Sequence, residues 1–127
     1  RKPVVLVVED EPEVADLLAR LVREAGCEPV FARDGQSALE AARELPAPDL
    51  VLVDLELPGM NGRSLIEAMR ADPTLSGIPL VVVSGASDAS AVLATDNVSK
   101  AHLRDGLGRV LARLRPDADL LPHPGPR

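Results

Sequence analysis

Val4-Val5-Leu6-Val7-Val8-Glu9-Asp10-Glu11-Pro12 is the stretch that decides the fold. Five consecutive apolar residues, in place of an alternation, describe a strand covered on both faces. Pro12 suits the first turn of a following helix, and acidic residues at that point favour the helix dipole. Val14, Leu17, Leu18, Leu21, Val22 and Ala25 then recur at i, i+3, i+4, i+7, i+8 and i+11. That spacing is one face of a helix, and Gly26 ends it.

Downstream the pattern repeats. Residues 29–32 read as a short strand, Asp34-Gly35 as a turn, and residues 36–45 as a helix with Ala38, Leu39 and Ala42 inward. Pro46 and Pro48 stop that helix. Leu50-Val51-Leu52-Val53 is another fully apolar strand, ending at Asp54. Loop residues run to Gly62, and residues 63–71 form a helix with Leu65, Ile66 and Met69 inward. Residues 78–83 make a fourth strand, ending at Ser84-Gly85. Beyond it the signal weakens. Ser87-Asp88-Ala89 caps a short helix to about Ala94, and Asp96-Asn97-Val98-Ser99 is a strand with one apolar residue. Leu103, Leu107, Val110, Leu111 and Leu114 restore helical spacing, although Gly106 and Gly108 each cost that helix up to about 1 kcal/mol. Alternation of this kind predicts an α/β fold, a doubly wound five-stranded parallel sheet with helices on both faces. Residues 1–115 are the expected domain, and the Pro-rich residues 116–127 a tail or linker.

Composition removes several classes of function. The chain has 127 residues, enough for one domain with a real core. Phe31 is its only aromatic residue, so the core must be aliphatic and no base-stacking platform exists. Net charge is −6 with no basic patch, which argues against direct contact with nucleic acid. No apolar run is long enough to cross a membrane. Cys27 is the single cysteine, and a reducing, cytoplasmic setting is expected. Lys100 is the only lysine besides Lys2, against twelve arginines.

In parallel sheets of this type ligands sit beyond the carboxyl ends of the strands. At those ends stand Glu9-Asp10, Asp54, Ser84 and, after the weak strand, Lys100. Clustered carboxylates repel one another and call for a cation. A set of oxygens without His or Cys suits a hard ion such as Mg²⁺. Carboxylates, a metal, a hydroxyl and an ammonium together make a phosphoryl-transfer layout.

Val4 to Glu11, Asp54-Leu55-Glu56-Leu57-Pro58-Gly59-Met60-Asn61-Gly62, Val81-Val82-Val83-Ser84-Gly85 and Val98-Ser99-Lys100 resemble the receiver domain of two-component response regulators. The 44 residues from Asp10 to Asp54 and the 30 from Asp54 to Ser84 also match that family. The resemblance implies strand order 2-1-3-4-5. It implies that Asp54 is the phosphoacceptor, taking its phosphoryl group from a sensor histidine kinase or phosphotransfer protein. Asp10, Asp54 and the backbone carbonyl of Glu56 would hold Mg²⁺, with Glu9 acting through water. Lys100 and Ser84 would bind phosphoryl oxygens. Such a domain is a switch and not an enzyme, and Arg1 in place of Met together with the Pro-rich end suits a piece of a longer chain carrying an output domain.

Four departures from the family concentrate in one region. Ser84 to Lys100 spans only 16 residues, so the fourth helix should be shortened or missing. Asn97 replaces the usual aromatic, Ala101 the usual proline, and His102 the usual second aromatic. The Lys100–Ala101 bond is expected to be trans, since a non-proline cis bond costs about 3 kcal/mol. His102 reads as an exposed helix-start residue. The alternative within the family is a pseudo-receiver, a docking module that has lost phosphorylation. Outside it stand an aspartate-nucleophile phosphatase, for which a cap insertion is lacking, and a flavin module, for which aromatic residues are lacking.

Overall fold

The structure is a computed structural model, and it describes residues 2–44, 47–54, 62–84, 96–99 and 102–114. The elements are β1 (Val4–Val8), α1 (Pro12–Glu24), β2 (Glu28–Ala32), α2 (Gly35–Arg43), β3 (Leu50–Asp54), α3 (Gly62–Ala71), β4 (Leu80–Ser84), β5 (Asp96–Ser99) and α4 (Leu103–Ala112). The five strands form one parallel sheet in the order β2-β1-β3-β4-β5. The expected architecture and strand order are both present. The expected short fourth helix falls on residues outside those described, as does the Lys100–Ala101 bond.

Strand parity divides the core into two layers. Leu6, Val8, Val51, Val53, Leu80 and Val82 face α2 and α3 and meet Leu39, Leu65, Ile66 and Met69. Val5, Val7, Leu50, Leu52, Val81 and Val98 face α1 and α4 and meet Leu18, Val22, Leu107 and Leu111. Every residue of β3 is buried, which is why its sequence is a continuous apolar run. The core is aliphatic as composition requires. Phe31 lies on the edge strand β2 and is 47% exposed.

Chain-end chemistry fixes the helices. Gly26 has φ 84°, and its N–H donates to the Arg23 carbonyl while that of Cys27 donates to Val22. This closes α1 by the double bond pattern that a left-handed residue permits. Asp34 caps α2, its Oδ1 accepting from the Ser37 N–H at 2.8 Å. That bond holds the Asp34 carboxyl below the usual range.

Several boundaries differ from the sequence reading. β4 begins at Leu80, two residues later than expected, and α2 ends at Arg43. Leu17, expected on the inner face of α1, is 39% exposed. The packed face of α1 is Leu18, Leu21 and Val22, with Val14 and Ala25 against the same cluster.

Candidate functional site

The site is built by two strands that end at one height. Val7 pairs with Leu52 and Val8 with Val53, so Glu9 and Asp54 come next in the same row. Glu9 follows Val7 by two and Asp54 follows Leu52 by two, so alternation puts both on the face of α1 and α4. The Glu9 N–H donates to the Ala32 carbonyl at 3.0 Å, which ties the end of β1 to the end of β2. Glu9 and Asp54 are the buried acidic residues among those described, 5% and 6% exposed.

Glu9 Oε2 accepts from the Asp10 N–H at 3.0 Å and, more weakly, from the Glu11 N–H at 3.4 Å. These amides lead into α1, where the dipole favours negative charge. Glu9 Oε1 is buried without a hydrogen-bond partner. Burial pushes the Glu9 carboxyl up to about 8, and the close approach and charge of Asp54 push it the same way. Two carboxyls pressed together out of water cannot both ionise at neutral pH without a compensating cation. A proton or a cation would relieve this pair.

Asp10 is half-buried at the turn into α1. Its side chain adds a smaller upward push on the Glu9 carboxyl than Asp54 does. Among the described residues no three His, Cys, Asp or Glu side chains converge to hold a metal. The strand row explains this, since it brings together Glu9 and Asp54, while Asp10 lies one residue beyond the row. Oxygen-only donors and an orphaned buried Oε1 nevertheless fit a hard divalent ion. The approach of Glu9 to Asp54 matches the clustering of strand-end carboxylates expected from the sequence. Parity beyond Val7 and Leu52 was the available signal.

Ser84 closes β4, its backbone in register with Ser99. Glu56 and Lys100 lie outside the described residues. His102 is exposed at the start of α4, as expected, and its side chain makes no cap hydrogen bond. Asn97 lies in β5 opposite Val82.

A parallel five-stranded sheet with acids at the carboxyl ends of the adjacent inner strands β1 and β3 defines the class of molecule. The chain belongs to the response regulator receiver domain family, whose model matches residues 5–103. It is 41% identical over 122 residues to the DNA-binding response regulator MtrA of Mycolicibacterium smegmatis, covering 91% of this chain and 52% of that protein. The chain thus spans about half the length of the curated relatives it matches. The signal receiver domain of a signal transduction histidine kinase from Syntrophus aciditrophicus superimposes with a TM-score of 0.78 at 29% identity, covering 88% of this chain and 89% of that one. The Mn²⁺-bound form of response regulator Rcp1 does so with a TM-score of 0.71 at 25% identity, covering 87% and 90%. Among the described residues no helix is long and apolar enough to cross a membrane.

Proposed function

We propose that residues 1–115 form a phosphoacceptor switch in two-component signalling, and that Asp54 accepts the phosphoryl group. The observation that carries this reading is the buried Glu9–Asp54 pair with its unpartnered Oε1. A buried carboxylate beside a second acid is unstable unless a cation joins it. Asp10, Asp54 and the backbone carbonyl of Glu56 would hold Mg²⁺, with Glu9 behind them. The ion, when bound, offsets the charge on the phosphoryl oxygens. Similarity to the Mn²⁺-bound Rcp1 supports a divalent site.

In the step itself an Asp54 oxygen forms a bond to phosphorus as the nitrogen–phosphorus bond of a kinase phosphohistidine breaks. The imidazole leaves with the bonding pair and takes up a proton. Lys100 and Ser84 would hold phosphoryl oxygens. The donor is a sensor histidine kinase or phosphotransfer protein, and the setting is the cytoplasm. The chain covers about half of the DNA-binding response regulator MtrA, which supports an output module in the whole protein, and the acidic receiver domain is proposed not to contact nucleic acid itself.

Acetyl phosphate with Mg²⁺, followed by intact mass, tests the reading. One phosphoryl group should be added to the wild-type protein and none to Asp54→Asn. A protein that never gains this mass is the phosphorylation-independent docking module instead.

A further inference from the structure

Gly106 of α4 lies directly over Val98 of β5. A Cβ at Gly106 would stand 2.8 Å from Val98 Cγ1, 3.5 Å from Cγ2 and 3.6 Å from Cβ. The first of these distances is too short for two carbons, so one group would have to move. Val98 is poorly able to do so. It is β-branched and stiff about χ1, 2% exposed, and locked in register opposite Val83. The bare glycine therefore sets how closely α4 approaches the sheet. Gly108, two residues on, would meet nothing within 4 Å. Both glycines weaken the helix, and only Gly106 makes a close approach in return.

The register links this contact to the site. Val98 pairs with Val83, and Val83 pairs with Asp54. The residue beneath Gly106 thus stands in the same row as the acceptor, two strands away. Lys100 is joined on one side to β5, which ends at Ser99, and on the other to α4, which begins at Leu103. Those two elements meet at the Gly106–Val98 contact. We infer that Gly106 is a positioning residue for phosphoryl transfer to Asp54: its close approach to Val98 sets how α4 seats on β5 in the row that holds the acceptor. The inference rests on the reading of Asp54 given above.

The test compares Gly106→Ala, Gly108→Ala and the double variant Gly106→Ala/Val98→Ala, all assayed well below their melting temperatures. Rates of phosphorylation by acetyl phosphate and the Mg²⁺ affinity are measured for each. Misplacement by a fraction of an ångström is expected to slow Gly106→Ala by about tenfold. Its Mg²⁺ affinity, which belongs to the ends of β1 and β3, should stay within about twofold of wild type. Removing the two Val98 methyls should bring the double variant back to within about threefold of wild type, although it has lost buried apolar surface. A merely structural glycine would not give rate recovery in a less stable protein. Should Gly106→Ala fail to fold, Val98→Ile crowds the same contact from the strand side with the helix sequence intact, and it should slow the reaction similarly. Equal rates for Gly106→Ala and Gly108→Ala would overturn the inference. So would a double variant that stays slow, or a Val98→Ile that reacts at the wild-type rate. A wild-type protein that is not phosphorylated at Asp54 would remove the functional reading, and this inference with it.

Discussion

The two halves of the sheet are built on different principles. β1 and β3 are continuous apolar strands, and all but Val4 of their residues up to Glu9 and Asp54 are buried. Their carboxyl ends deliver two acids into one row with no help from loops. β5 has one apolar residue, Val98, and meets α4 through the one glycine that lets the helix come close. The comparison teaches that the acid half of the site is set by burial in continuous apolar strands, whereas β5 brings one buried apolar residue, fitted closely to α4 at Gly106. Loss of one core residue should therefore damage stability most on the first side and function most on the second.

The largest effect expected is at the acids themselves. Asp10→Ala should weaken Mg²⁺ binding at least about tenfold by deleting a direct ligand; titration with Mg²⁺ measures it, and equal affinities would remove Asp10 from the set. Next comes the buried row beneath. Leu52→Ala should cost about 2–5 kcal/mol by urea denaturation, because Leu52 is 1% exposed at the centre of the sheet. Val98→Ala should cost less than Leu52→Ala, and the reverse order would break the contrast between the halves.

A pH series sharpens the comparison further. The Glu9 carboxyl is raised to about 8 in the folded chain, against 4.5 for an ordinary glutamate. The fold thus favours its neutral form. That contribution to stability is complete below about pH 4.5 and is lost as pH rises through about 8. Denaturation in chelator should show stability falling over this window, more shallowly for Glu9→Gln. Added Mg²⁺ favours the ionised pair and should offset the fall. The smallest effect expected is a gain: Gly108→Ala should raise stability by up to about 1 kcal/mol, since its Cβ enters open space.

Much of this was legible in the sequence because burial writes itself as composition. The runs at Val4–Val8 and Leu50–Asp54 announce strands covered on both faces, and the acids that end them lie at the edge where ligands bind. Helix faces on α1 and α3 followed from spacing, with Leu17 the exception, because a periodic position is placed by angle and not by how far the sheet extends beneath it. The meeting of Glu9 with Asp54 depends on the register of β1 against β3, which spacing along one strand does not encode. Gly106 reads in the sequence as a helix weakened by glycine. Its use becomes visible only when Val98, eight residues earlier, is seen beneath it.

The most direct test of the central claim is to trap the phosphorylated residue chemically. Borohydride reduces an aspartyl phosphate to homoserine, which peptide sequencing then locates. After reaction with acetyl phosphate and Mg²⁺, the account predicts homoserine at position 54 and aspartate at position 10. Homoserine at any other position, or an Asp54 that survives unchanged in a protein that has gained phosphate, would contradict it.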